Sequence, residues 1–234
     1  MKKTDFIFFG LLIGLFLPFF LSEPVFQFYN AFNKEHGMIT SFIKFAILAT
    51  MGESLGLRIK SGVYNKTGFG LIPRAIVWGL LGLTINMAFI IFAKGAPQFL
   101  AYLGVDLGVA VPEDVLKGNM SAIKLLAAFT ISATMNLIFA PIMMTLHKIT
   151  DTHITNNGGT IAGLFKPIKM KEIFVNLNWD IQWSFVFKKT IPFFWIPAHT
   201  ITFMLPAEYR VLFAALLGIV LGVLLSVASL KGNK

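Results

Sequence analysis

Residues 74–93, RAIVWGLLGLTINMAFIIFA, carry no charge after Arg74, and only Thr84 and Asn86 interrupt their apolar character. About 20 helical residues cross the roughly 30 Å hydrocarbon core of a bilayer, so this stretch alone is long enough to span one. Five further stretches of the same kind cover residues 4–22, 38–57, 121–146, 184–205 and 209–230. Six spans leave little of the chain outside a membrane. The fold class expected is therefore all-α, a polytopic transmembrane bundle formed by a single integral membrane domain over residues 1–234.

The cations between the apolar runs set an orientation. Weaving the spans alternately gathers Lys2, Lys3, Arg58, Lys60, Lys66, Arg74, Lys148, Lys166, Lys169, Lys171, Lys188, Lys189, Lys231 and Lys234 on one side. The other side holds Lys34, Lys94, Lys117 and Arg210 against Glu23, Glu35, Asp106, Glu113, Asp114 and Glu208. Cytoplasmic loops carry the excess of Lys and Arg, so both termini are expected inside. The run after Lys2-Lys3 reads as a retained first helix, because Phe20 and Leu21 stand where signal cleavage requires small residues.

Composition narrows the function. The net charge of +9 lies mostly on one face, where anionic lipid headgroups are its natural counterpart, and no basic patch interleaved with aromatics points to nucleic acid. The absence of cysteine excludes disulfides and thiolate chemistry. Tyr29, Tyr64, Trp78, Tyr102, Trp179, Trp183 and Tyr209 fall near the expected span ends, as interfacial rings do, whereas Trp195 lies within a span. The bilayer is the one partner this composition demands. No cofactor and no metal are expected.

Small residues four apart, at Gly10 and Gly14, Gly52 and Gly56, and Gly218 and Gly222, allow helix backbones to approach closely. Packing within the chain is the expected use, with a homo-oligomer as the alternative. Polar groups inside spans carry the functional reading, since a buried ionisable group in lipid costs several kcal/mol unless paired. Counting depth along the helices sets Glu53 level with Asn136 in an inner tier, and Asn86 level with His199 in an outer one. Thr130, Ser132, Thr134, Thr200 and Thr202 add hydroxyls. The functional expectation is a polar pathway with Glu53 as its cation-attracting or proton-accepting group. The plain alternative is interhelical hydrogen bonding, or for Glu53 an ion pair with Arg58 or Arg74. Lys44 and Lys124, near the outer span ends, are expected to snorkel to headgroups.

The fifth span contains Pro192 and Pro197 and ends at Pro206, so a proline-broken helix is expected there, with Trp195, Pro197 and His199 forming a pathway wall. Residues 147–183 form a basic cytoplasmic loop with a flexible turn at Asn156-Asn157-Gly158-Gly159 and a surface helix along Lys166 to Lys171. Residues 94–120 face outside, with Phe99 to Leu103 as either a short interfacial helix or loop. His147 and Asp151 are one helical turn apart, as a metal pair requires, but His153 is rotated away and no third ligand is evident. A helix end with solvated histidines is the expectation, and no enzymatic constellation stands out.

The stretch Phe193-Phe-Trp195-Ile-Pro197-Ala-His199-Thr-Ile-Thr202-Phe203-Met-Leu-Pro206-Ala-Glu-Tyr-Arg210 resembles the C-terminal signature of the Mpv-seventeen/peroxisomal membrane protein family. That signature runs from a Trp through a Gln, an Asn-Phe pair and a Pro to an Arg, and Trp195, Phe203, Pro206 and Arg210 match its spacing. Asn136 to Pro141, Gly52-Glu53, Arg74 and the closing Gly222 to Ser226 resemble further family stretches. His199, Thr202 and Met135 replace the family's Gln, Asn and Asp. The Gly-Pro, His and Trp-Tyr motif has no clear counterpart, and an apolar segment is added at the N-terminus. The resemblance extends over residues 50–228 and is strongest over 135–226. It implies a divergent bacterial relative of small, pore-like, multi-helix membrane proteins, without naming a solute.

Two functions follow as expectations. One is a channel or transporter for a small polar solute in a bacterial cytoplasmic (inner) membrane, its path lined by Glu53, Asn86, Asn136, Trp195, Pro197, His199 and Thr202, with Arg210 at the outer mouth. The other is a membrane scaffold that recruits a partner through loop 147–183.

Overall fold

Helix accounts for nearly all regular structure in the computed structural model, which describes residues 2–231, with side chains to residue 223. Lys234 and the side chains of Ser226 and Lys231 lie outside the described residues. Among the described residues, four helices are long and apolar enough to cross a membrane: Lys3–Leu21, Gly37–Ser61, Leu71–Tyr102 and Ala122–Asn156. These features are compatible with an integral membrane protein. The chain divides into two compact units, residues 1–40 and 41–234.

The first unit holds α1 (Lys3–Leu21) and α2 (Glu23–Glu35). Helix α1 opens with the Lys2 backbone N–H donating to Asp5 Oδ2 at 2.6 Å and closes at Ser22. Pro24 starts α2 at once, because the first helical turn needs no N–H from it. Residues 23–35, between the first two expected spans, are helical because they are amphipathic. Phe26, Tyr29, Asn30 and Asn33 fall on the half-buried side, and Phe19 meets Tyr29 with ring centroids 5.0 Å apart. Thirteen residues are too few to span a bilayer.

The second unit is organised by glycine. Helix α3 (Gly37–Ser61) meets α4 (Leu71–Tyr102) where Gly79 and Gly82 have no side chains. A Cβ at Gly79 would lie 2.5 Å from the Phe42 ring, and one at Gly82 would lie 2.7 Å from Phe45 Cβ. On another side of α3, a Cβ at Gly52 would lie 3.0 Å from Ile219 Cα of α10 (Ala207–Lys231), and one at Gly222 would lie 3.2 Å from the Gly52 carbonyl. Gly52 and Gly222 thus serve packing within the chain. Gly10, Gly14 and Gly218 face open space within 4 Å. Lys44 does not snorkel: it is 7% exposed, on the α3 face that carries Ser41, Phe45 and Leu48 toward the interior. Lys124 donates to the Gly118 carbonyl at 2.8 Å.

Helix α4 takes in Phe99 to Tyr102 without a break, so this stretch continues the span helix. Its 32 residues correspond to about 48 Å, more than a hydrocarbon core requires. Gly104, at φ +86°, turns the chain away from the helix end. A 3₁₀ turn at Pro112–Leu116 leads to α5 (Ala122–Asn156), capped by Ser121 Oγ accepting from the Lys124 backbone N–H. Helix α5 packs on α4 and on the fifth segment, with Ala127, Ala128 and Ile131 fully buried. Leu80, Met87, Ile90 and Ile91 on α4, like Leu137, Ile138 and Ile142 on α5, are exposed bulky apolar residues, the surface a bilayer solvates.

After α5 the expected turn is present, and it is close-packed at Gly159. Gly158 and Gly159 have φ of +74° and +68°, and a Cβ at Gly159 would come within 2.7 Å of the Gly68 and Gly70 backbones. The turn is locked because two backbones touch. Short helices α6 (Ile161–Leu164), α7 (Met170–Val175) and α8 (Trp179–Ile181) follow.

The fifth segment is helical throughout. Gln182–Trp195 is wound as a π-helix, and α9 (Ile196–Met204) continues it in α form. Pro192 lacks an N–H and crowds the carbonyl four residues earlier, and wider winding relieves both conditions. The five-residue spacing is visible where Thr190 Oγ1 donates to the Phe185 carbonyl and the Ile196 N–H to that of Ile191.

Candidate functional site

Three helices bring charge to one place. Glu53 is on the fifth turn of α3, Arg74 on the first turn of α4, and His147 and Asp151 lie one turn apart on α5. Arg74 Nη1 donates to Glu53 Oε2 at 2.5 Å and also contacts Asp151 Oδ1, so one guanidinium bridges two carboxylates. Its Nε donates to the Phe69 carbonyl at 2.7 Å, and its charge lies over the Phe69 ring, 4.5 Å from the centroid. The other Glu53 oxygen accepts from Trp78 Nε1 and is paired with His147 Nε2, both at 2.9 Å. A carboxylate can only accept, so Nε2 carries the proton in the His147 bond. Trp78 also packs against the imidazole, with centroids 4.3 Å apart. Lys148 reaches Asp151 Oδ2 at 3.6 Å from the rim.

These side chains are largely withdrawn from solvent, at 9% exposure for Arg74 and about a fifth for Glu53 and Asp151. The cleft among Arg74, Trp78, His147 and Asp151 holds no space wide enough for a water molecule. Of the two arginines weighed as partners for Glu53, Arg74 is the one engaged. Arg58 donates to the Gly62 carbonyl at 3.0 Å.

The second polar group lies farther back along α5. Asn136 Nδ2 is 3.0 Å from His199 Nδ1 and also donates to the Ser132 carbonyl, while Ser132 Oγ donates to the Ile196 carbonyl. Asn136 and Ser132 are essentially fully buried, and His199 is 8% exposed. The His199 ring is flanked by Phe89 at 5.6 Å and Trp195 at 5.1 Å. Trp195 Nε1 is buried and finds no hydrogen-bond partner among the described residues.

The tiers expected from depth therefore change partners. Asn136 pairs with His199, and Glu53 pairs with Arg74, Trp78 and His147. Depth counting treats each helix as if it entered the bilayer at its first apolar residue, but α4 and α5 overrun any hydrocarbon core. Asn86 is buried on α4, one turn before Phe89. Thr202 is fully buried and donates to the Ala198 carbonyl of its own helix. Pro197 is on the exposed side of α9, and Arg210 donates to the Leu205 carbonyl and lies over Phe203.

Two participants went unassigned in the sequence. Trp78 reads there as an interfacial ring and His147 as solvated. The one-turn spacing of His147 and Asp151 is the signal that marks a shared face, although the shared partners are Glu53 and Arg74. His153, also expected to be solvated, is 2% exposed, with Nε2 3.2 Å from the Leu164 carbonyl and Nδ1 3.2 Å from Asn157 Nδ2. It fastens α6 against the end of α5. Among the described residues, no group of three acidic or imidazole side chains is arranged to hold a metal ion. No family model, no curated protein and no solved structure matches this chain.

Proposed function

We propose that the chain is a channel or transporter for a small polar solute in a bacterial cytoplasmic membrane, and that Glu53, Arg74, His147 and Asp151 form its inner gate. The gathering of these four ionisable groups from three helices carries this reading. Apolar packing alone would hold such helices together, and ionisable groups buried within membrane segments are candidates for solute or ion paths. The reading takes residues 182–204 as a fifth span, its regular winding broken around Pro192 and Pro197, and α10 as a sixth, with both termini inside. It also keeps the likeness to the Mpv-seventeen family.

In this scheme Arg74 closes the path by bridging Glu53 and Asp151. A solute passes when its own donors and acceptors replace those bonds. Asn136, His199 and the unpartnered Trp195 N–H form a second polar station deeper along α5. The test is solute-selective leak from proteoliposomes, comparing the wild type with Arg74→Met, Glu53→Gln and His199→Ala, each shown by circular dichroism to be folded. The expected result is a leak in the wild type that Arg74→Met enlarges and His199→Ala alters. Absence of leak for neutral, anionic and cationic solutes in every variant would refute it.

One observation favours the second reading, a membrane scaffold acting through the basic segment 147–183. The charged cluster is closed by direct hydrogen bonds, with no room for water. A scaffold gives no leak with Arg74→Met.

A further inference from the structure

The segment from Thr160 to Lys189 presents a surface that water does not suit. Phe165 is 76% exposed, Val175 65%, Ile181 58%, Trp183 56% and Ile161 48%. Between them stand Lys166, Lys169, Lys171, Lys188 and Lys189, all exposed, against only two acids, Glu172 and Asp180. The segment is not a loose coil whose side chains could fold back. His153 holds its start through the Leu164 carbonyl, Ile173 is buried at 6% exposure where α7 packs on α5, and Trp179 Nε1 donates to the Phe174 carbonyl at 3.0 Å. Its outward face is fixed, and that face alternates bulky apolar groups with lysines.

We infer that residues 160–189 lie in the headgroup layer of the inner leaflet, with Phe165 and its apolar neighbours among the upper acyl chains and the lysines on anionic lipid headgroups. Charge complementarity selects this occupant. The surface carries five lysines against two acids, set among exposed bulky apolar residues, the composition of an interfacial element. A protein-docking patch concentrates its apolar residues in a core depleted of lysine, which this surface does not do. Continuity argues the same way: the segment follows α5, a membrane-length helix, directly and runs straight into the apolar 182–204 stretch, so it never leaves the bilayer surface. Lys188 lies over the Trp183 ring at 5.5 Å, a pairing suited to the level where rings and cations meet headgroups. This inference requires that α5 and the apolar stretch after it lie in a bilayer, with residues 182–189 as the headgroup-level start of that stretch. It stands or falls apart from the gate and from transport.

The chain has no cysteine, so a single labelled cysteine reports without background. Full-length protein carrying Phe165→Cys with a nitroxide is reconstituted in phosphatidylcholine alone and in phosphatidylcholine with phosphatidylglycerol. Collision rates with oxygen and with a water-soluble nickel chelate give the depth of the label. Leu137→Cys, on the exposed face of α5, is the hydrocarbon reference. The expected result is a label inserted in the anionic bilayer and shifted toward water in the neutral one. Lys166→Gln, Lys169→Gln and Lys171→Gln together should lower surface partitioning on the order of a hundredfold and return the label to water. If that triple variant disturbs the Leu137 reference, added salt releases the label of the unaltered lysine surface and serves instead. A label in water in both bilayers overturns the inference. So does insertion that ignores lipid charge and salt, and so does protection that appears only when a soluble protein is added.

Discussion

Replacing Arg74 with methionine removes one cation and leaves two carboxylates facing each other. Glu53 and Asp151 both rest on that guanidinium, and each is only about a fifth exposed. Deleting one member of a buried ion pair costs about 3–5 kcal/mol, because the remaining charge stays withdrawn from water without compensation. The residual exposure of the carboxylates sets the expected cost near the bottom of that range, about 3 kcal/mol. Glu53→Gln should cost less, about 2 kcal/mol, since the amide oxygen still accepts from Trp78 or His147 while the charge-assisted bond to Arg74 is lost. The double variant no longer opposes two bare carboxylates, so its cost should fall short of the sum by at least about 1.5 kcal/mol. The assay is reversible unfolding in mixed micelles over a range of sodium dodecyl sulfate fractions, followed by far-ultraviolet circular dichroism. An Arg74→Met variant within about 0.5 kcal/mol of wild type, or strict additivity of the two changes, would refute the network as a structural lock.

The other expectations use the same unfolding assay or simple variants of it. Gly52→Ala places a methyl group 3.0 Å from the Ile219 backbone and should cost about 1–3 kcal/mol, whereas Gly218→Ala meets nothing within 4 Å and should be neutral or slightly stabilising. Gly159→Ala combines a positive φ with a contact of 2.7 Å to two glycine backbones, so it should cost more than Gly158→Ala, for which only the left-handed strain of about 1–2 kcal/mol applies. Limited proteolysis should then cut near residue 160 in the Gly159 variant first. Glu53→Gln and His199→Ala belong to groups that share no hydrogen bond, so their costs should add within about 0.5 kcal/mol. A large coupling would instead mean one continuous polar structure.

The helical class was legible in the sequence because apolar runs of membrane length leave few alternatives. The limits of the helices were less so. Phe99 to Tyr102 and Leu146 to Asn156 continue their helices although their hydropathy changes, since backbone hydrogen bonding does not stop where lipid does. Close helix contacts were half legible. Gly52 and Gly222 follow the four-residue rule, but Gly79 and Gly82 are three apart and make the tighter contact with α3. The candidate site was legible by member but not by partner. Glu53, Asn136 and His199 stand out as polar groups in apolar runs and Arg74 is one of two arginines within reach of Glu53, whereas Trp78 and His147 look ordinary until the start of α4 and the end of α5 meet beside α3. Pairing across helices depends on relative shift and rotation, and one sequence contains neither. The π winding of 182–195 is hidden for a related reason, because the prolines announce a departure from α geometry without saying which one.

Helix α5 supplies members to both polar groups, Ser132 and Asn136 to one, His147 and Asp151 to the other. From Asn136 to His147 is eleven residues, just over three complete turns at 3.6 residues each, so both groups fall on one edge of the rod about 16 Å apart. That interval acts as a ruler. A single residue gained or lost within it rotates everything beyond by about 100° and takes His147 and Asp151 away from Glu53 and Arg74. Changes of length should thus be forbidden between Asn136 and His147 yet tolerated in the exposed stretch from Gly108 to Val111, past the buried Leu107.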